Sequence, residues 1–342
     1  MKNTLVAVVA VCLAVVPAFA ESERLMFGGP TMGTTYHVRL VAESADVDVS
    51  GLQADIEALL AEIDRQMSTY RDDSELSRFN RAPADRWFAV SAATAKVVAA
   101  AQEISRKTDG ALDVTVGPLL QLWHFGPDAA TNVAAKADLP TDEMLKAART
   151  HVGYEKLEVR LNPPALRKLT DRLEVDLSSI APGYAVDRMA AILAEPGIDN
   201  FMVEIGGEVR TAGRRSDGKP WRVAIERPLV ERREMQMALP LVDAAISTAG
   251  DYRKFFEHAG RRYSHIINPA TGRPVEHSLA SVTVVADTCI EADGWDTPLL
   301  VLGPERGFQC AKENGIAALF ISRDKPREAA RATPAWRERF EN

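Results

Sequence analysis

Apolar residues recur first at helical and later at strand spacing along this chain. Leu52, Ile56, Leu59, Leu60, Ile63 and Met67 fall three or four apart, which predicts an amphipathic helix with one buried stripe. A polar loop over 68–74 follows it, with a short helix behind. Ser91 reads as the N-cap of a second long helix ending near Lys107, with Gly110 as its stop. Thr141 opens a third, whose Asp142 and Glu143 suit the positive end of the helix dipole. Residues 31–40 alternate as a strand, and 112–116 read as a short extended segment.

Beyond about residue 157 the pattern changes. Strands are predicted at 157–161, 167–176, 201–205, 221–226, 235–239, 263–267 and 281–286, with one helix at 183–193. No fixed-period repeat occurs, and no Pro/Ser linker is long enough to separate domains. Helices come first and antiparallel-looking strands dominate later. That order predicts an α+β fold, a single large domain of mixed or antiparallel sheets and packed helices over 21–342, rather than a doubly wound sheet.

Residues 1–20 stand apart. Lys2, an apolar run over 5–16, Pro17 and Ala18-Phe19-Ala20 make a secretory signal peptide cut after Ala20. The run is short for a membrane span, and Cys12 has no lipobox around it, so a soluble exported protein with no later transmembrane segment is expected. The composition is globular, at 46% hydrophobic and 26% charged. Cleavage removes Lys2 and no acid, so the net charge of −7 becomes −8. An acidic chain without a basic block excludes a nucleic-acid partner and suits anionic membranes poorly. Cys289 and Cys310 remain; they lack metal-type spacing, and two packed thiols are expected rather than a pair.

The candidate chemistry lies between 246 and 303. Asp293, Asp296 and Thr297 stand at i, i+3 and i+4, so a helix points all three at one spot. Hard oxygen donors in that pattern suit Mg²⁺, with substrate phosphates as further ligands. Pro298 predicts a kink or helix boundary at Thr297. His265 ends a strand beside the turn signals Asn268-Pro269 and Thr271-Gly272, where an imidazole can take a proton near neutral pH. Residues 176–187 join a strand to a helix. With Pro182 in its first turn, that helix presents free amides as an anion site, or is an ordinary turn with a serine cap. Residues 203–209 place Gly206-Gly207 between strand-like runs, which favours a hairpin over a dinucleotide fingerprint. Tyr70 and Met32 would suit a flat aromatic ligand, or simply fill core.

Taken together, "TMGTTY" (31–36), "MSTYRDDSELSRFN" (67–80), "GALDVTVGPL" (110–119), "DLSSIAPGYAVD" (176–187), "EIGGEV" (204–209), "STAGDY" (247–252), "HIINPATGRPV" (265–275) and "DTPLLVLG" (296–303) resemble the ApbE family of Mg²⁺-dependent FAD:protein FMN transferases. The resemblance covers nearly the whole chain after Ala20 and implies an ApbE-like, T-fold-type architecture. It implies Mg²⁺ ligands at the Ala181 carbonyl, Asp293, Asp296 and Thr297. It implies FAD contacts at Met32, Tyr70, Ala111, Leu112, Asp113, Ser178, Tyr184 and Ile267, with His265 and Asp293 linked to catalysis. Pro182 stands where many members have lysine, and Pro298 replaces a small residue. In family terms FMN passes from FAD to a threonine of a periplasmic-side partner, a flavoprotein subunit of a membrane redox complex, and AMP leaves. An FAD pyrophosphatase and a non-catalytic periplasmic flavin carrier are the alternatives.

Overall fold

The computed structural model describes residues 23–42, 47–127, 139–229, 232, 234–323 and 330–341; the expected signal peptide over 1–20 lies outside them. Its centre is an eight-stranded sheet of Glu23–Thr31, Thr34–Ala42, Phe201–Ile205, Glu208–Ala212, Ala244–Gly250, Leu279–Ala286, Ala317–Ser322 and Ala330–Ala332. The strands lie side by side in chain order, and every neighbouring pair is antiparallel. Between the second and third strands the chain leaves the sheet. That excursion holds the helices Val49–Met67, Ala92–Lys107 and Ala181–Ala194, together with a small three-stranded sheet. A long helix, Cys289–Glu313, connects the sixth strand to the seventh.

Both faces of the sheet are covered in its later half, and the residue pattern shows why. Ala245, Val282, Val284, Ala318 and Phe320 belong to the core shared with the helices. Their neighbours Ala244, Ile246, Val285, Ala317 and Leu319 pack on the opposite side, under the hairpin Trp221–Glu226/Met235–Leu241 and the short helix Pro334–Phe340. Near-continuous apolar strands are what burial on two faces requires. Trp336, fully buried, anchors the short helix.

The helix signals hold. Ile56, Leu60, Ile63 and Met67 are the buried stripe of Val49–Met67. Ser91 accepts from the Thr94 amide at 3.1 Å, and Thr141 from Met144 at 3.3 Å. Gly110 adopts φ +74° and donates to the Ser105 carbonyl, closing the second long helix. Gly206 and Gly207, both at positive φ, turn the hairpin between the third and fourth strands.

Five local expectations are corrected. Residues 31–40 are not one strand. Met32 and Gly33 have φ of 47° and 72°, the tight turn of a hairpin whose first strand, Glu23–Thr31, is disguised by Gly28-Gly29-Pro30. Residues 112–116 turn rather than extend, because the Asp113 carboxylate takes both the amide and the hydroxyl of Thr115. The strand expected at 167–176 is Pro164–Lys168. It stops where Lys168 turns inward and its ammonium donates to the carbonyls of Asn80, Asp171 and Leu173. The strand at 263–267 is split into Arg261–Ser264 and Ile267–Asn268, since Ser264 Oγ accepts the Ile266 amide in place of a ladder bond. The long helix runs through Pro298 and breaks instead at Gly303, with φ 81° and ψ −175°.

The long helix is fixed where it meets Ala181–Ala194. A Cβ on Gly183 would stand 2.4 Å from the Cys289 carbonyl oxygen and 2.7 Å from Asp293 Cβ. Only glycine permits that approach. Asp187, on the same helix as Gly183, accepts the amides of Cys289 at 2.9 Å and Ile290 at 3.0 Å. It thereby caps the long helix from outside, where Thr288 makes no side-chain cap. Arg210 donates to Asp187 at 2.5 Å and holds it in place. Among the described residues Cys289 and Cys310 are unpaired, the first buried and the second half-buried.

Gly183→Ala should force the two helices apart and cost about 1–3 kcal/mol, the usual range for overpacking. An unchanged urea midpoint would show that the helices do not meet so closely. Trp336→Ala should cost about 3–5 kcal/mol by the same measurement, and a loss near zero would remove the C-terminal helix from the core.

Candidate active site

Asp293 and Asp296 lie one turn apart in the first half of the long helix, 4% and 2% exposed. Each is held by a donor from another element. The Gly183 amide donates to Asp293 Oδ2 at 2.7 Å, and Ser247 Oγ donates to Asp296 Oδ2 at 2.6 Å. Thr297 Oγ1 donates to Asp296 Oδ1 at 3.1 Å, which commits its hydrogen and leaves its lone pairs free. Ala181, whose carbonyl is the fourth expected ligand, stands two residues before Gly183 and opens the same helix. All four expected ligand positions are therefore brought into one neighbourhood. The first amides of that helix do not form an open anion site, since Gly183 is already occupied by Asp293. Nor does a serine cap it: Ile180 is the N-cap and makes no side-chain bond.

The charge here is unbalanced. Burial drives the Asp293 carboxyl well above the usual carboxylate range, the charges of Glu208 and Asp296 raise it further, and the Gly183 amide opposes them. Asp296 is likewise raised by burial, with the Ser247 bond opposing and Glu208 adding. Glu208, on the same sheet face, is itself pushed up to about 7, mainly by burial. Among the described residues, neither aspartate forms an ion pair with a lysine or arginine. Buried like charges without a counter-ion are costly unless they bind protons or a cation. No three His, Cys, Asp or Glu side chains come together as a metal cluster among the described residues. The donors at the expected positions would be two carboxylates, a hydroxyl and a carbonyl, all hard oxygens, and that chemistry fits a divalent cation completed by ligand phosphates.

His265 sits outside this cluster, in the break between two short strands. Its amide donates to the Lys254 carbonyl at 3.1 Å and its Nδ1 to the same oxygen at 3.0 Å. A carbonyl only accepts, so Nδ1 carries the hydrogen and Nε2 presents a lone pair. Burial lowers the imidazole to about 4, so it is neutral at physiological pH. The Lys254 charge acts on both His265 and Glu208, and that of Glu208 acts on both aspartates.

The expected flavin contacts fall into distinct environments. Tyr70 is 68% exposed; shielding of its phenol and then the charge of Asp176 raise its pKa, which puts it beside the 176–178 turn carrying exposed Ser178. Met32 is half-buried at its hairpin turn, and Tyr184 is buried next to Gly183. Ala111, Leu112 and Asp113 are buried, and the Asp113 carboxylate is spent on Thr115 and the Tyr154 amide. Ile267 packs into a satellite core with Trp123, Tyr263 and Leu145. Two cavities open elsewhere on the surface, about 220 Å³ beside Arg24 and Trp221 and about 670 Å³ beside His124 and His258; neither is lined by Asp293, Asp296 or His265.

Sequence reasoning missed Gly183, Asp187, Ser247 and Glu208 as parts of the site. Glu208 carried a signal: it shares its strand face with Arg210, opposite buried Val209, so an acid points inward. Ser247 carried only a faint one, a hydroxyl in the small apolar run 244–250.

The ApbE family model matches residues 32–320. A Vibrio cholerae protein named FAD:protein FMN transferase is 48% identical over 321 residues, covering 94% of each chain. Its namesake from Haemophilus influenzae is 40% identical over 330 residues, again covering 94% of each. Among solved structures, the flavin transferase ApbE from Vibrio cholerae superposes with a TM-score of 0.83 at 46% identity, covering 93% of this chain and 99% of its own. The apo flavinyl transferase ApbE from Pseudomonas stutzeri gives 0.84 at 41% identity, covering 94% and 98%. With the family model, the sequence identities and the fold in agreement, this chain is a member of the ApbE family.

Proposed function

We propose that the protein is a Mg²⁺-dependent FAD:protein FMN transferase. A hydroxyl of a threonine or serine on a partner redox protein attacks the FMN phosphorus of FAD. A new P–O bond forms, the pyrophosphate P–O bond breaks, AMP departs, and the hydroxyl proton passes to a base. The observation that carries the reading is the pair of buried aspartates, without a lysine or arginine partner among the described residues, pinned beside the start of a neighbouring helix. The names of the relatives support the reaction class.

Asp293, Asp296, the Thr297 hydroxyl and the Ala181 carbonyl would hold Mg²⁺. Bound there, the ion draws off charge that builds on the phosphate oxygens. The chain's own residues orient and exclude water. The Gly183 amide and Ser247 hydroxyl fix the carboxylates, and exposed Tyr70 beside Asp176 and Ser178 offers a ring face to a flavin. Nε2 of His265 is an unprotonated acceptor for the hydroxyl proton, and Asp293 is the second candidate base. The signal pattern over 1–20 supports export to the periplasm, and a subunit of a membrane redox complex is the acceptor we favour. No helix among the described residues is long and apolar enough to cross a membrane.

The decisive assay incubates the protein with FAD, Mg²⁺ and a threonine-containing acceptor. Covalent yellow fluorescence on the acceptor is expected, absent with EDTA and absent in Asp293→Ala. Full labelling by Asp293→Ala would reject the cation site. Free FMN and AMP without labelling would make water the nucleophile, and no AMP at all would leave a flavin carrier.

The pH dependence follows from His265. Its folded pKa, about 4, lies below its ordinary 6.5, so between these values the folded chain binds fewer protons than the unfolded one. Its contribution to stability is complete above about 6.5 and disappears as pH falls toward 4. Transfer should accordingly stay flat on the acid side until about pH 5 and decline below it. His265→Asn should still bind FAD and slow transfer about 10²–10⁴-fold, and equal turnover in that variant would remove the imidazole from the chemistry.

A further inference from the structure

Ser247 is fully buried in the Ala244–Gly250 strand, on the face turned toward the long helix. Its neighbours on that face, Ala245 and Ala249, belong to the helix-side core and are small, so the helix can approach closely. A hydroxyl placed there is unfavourable unless it is bonded. It is bonded, to Asp296 Oδ2 at 2.6 Å, within the short range of charge-assisted hydrogen bonds. The next residue, Thr248, points to the other side and pairs with Thr283 at 2.9 Å, so it offers Asp296 no substitute.

We propose that Ser247 is a positioning residue for the cation site, fixing the Asp296 carboxylate so that its remaining lone pairs face the cation held with Asp293 and Thr297. The inference rests on the cation reading above. The terminal torsion of an aspartate is broad and roughly two-fold, so backbone placement alone does not orient its oxygens. Asp293 is oriented by an amide of the neighbouring helix, and Asp296 by a hydroxyl from the sheet. Thr297 bonds the other Asp296 oxygen but rides on the same helix, so it moves with Asp296 rather than tying it to a separate element. Without Ser247, the donors left to Asp296 are the hydroxyl and the backbone amide of Thr297, both on its own helix, and no separate element holds its orientation. Outer-shell partners of ligating groups typically carry about 10–100-fold in metal affinity.

The test compares wild type, Ser247→Ala, Ser247→Thr and Asp293→Ala. Apparent Mg²⁺ affinity is read from the rise in melting temperature as Mg²⁺ is added with FAD present and acceptor absent. A parallel series reads transfer rate against Mg²⁺ concentration. Ser247→Ala is expected to need about 10–100-fold more Mg²⁺ in both series, each variant's Mg²⁺ shift being read from its own melting temperature in EDTA. Its kcat should recover at saturating Mg²⁺, and Ser247→Thr, which keeps the hydroxyl, should regain most of the affinity. A wild-type Mg²⁺ midpoint in Ser247→Ala overturns the proposal. So does a defect that excess Mg²⁺ does not repair, or one that a stably folded Ser247→Thr does not recover. Wild-type protein whose melting and transfer ignore Mg²⁺ would overturn the cation reading itself, and this inference with it.

Discussion

The contact on which the rest depends is the one between the Asp293 carboxylate and the amide of Gly183. It joins the first turn of one helix to the second turn of another, and both sides need it. The Ala181–Ala194 helix begins without a side-chain cap, so an incoming anion satisfies an amide that would otherwise be orphaned. The aspartate, almost wholly buried, gains a donor and the favourable end of a helix dipole. The approach exists only because residue 183 has no Cβ. Asp187 reinforces the same junction from one turn further along, by capping the long helix in return. Each helix therefore terminates the other, and the carboxylates are placed by that exchange.

From that junction the position of the whole long helix follows. Gly294 lets it lie against Ile104, and the small residues of the Ala244–Gly250 strand let it settle on the sheet. Its break at Gly303, followed by Pro304, separates a first half that bears the aspartates from a second half free to follow the sheet. Pro298 costs the helix one donor, yet the flanking turns are buried on both sides and keep the backbone helical. Packing thus overrides a local preference that the sequence states plainly.

Much of this was legible in advance, and the reason is periodicity. Ile56, Leu60, Ile63 and Met67 announce their helix, and Ser91 and Thr141 announce starts, because caps and stripes depend on neighbours within a few residues. The spacing of Asp293, Asp296 and Thr297 exposed the carboxylate face for the same reason. What escaped was non-local. The inward turn of Lys168, which ends a strand by serving three carbonyls, draws on Asn80, far away in sequence, as well as on Asp171 and Leu173 nearby. Gly183, Asp187, Ser247 and Glu208 matter only because of what the fold sets opposite them, and a single chain carries no mark of that partnership. Local competition also misled: the side chains of Asp113 and Ser264 capture backbone amides and break extended runs that alternation favours.

The electrostatics give this arrangement its direction. Asp293, Asp296 and Glu208 crowd one low-dielectric region, and burial ranks first among the causes that raise each of them. A structure selected for stability alone would replace such groups with apolar ones, since buried charge without a partner is a net cost. Here the donors that reach the aspartates are neutral amides and hydroxyls, which orient a carboxylate without cancelling its charge. Hydrogen-bond donors that carry no charge leave the negative potential available to the cation proposed there. His265 follows the opposite rule: burial disfavours its protonated form and leaves the imidazole neutral.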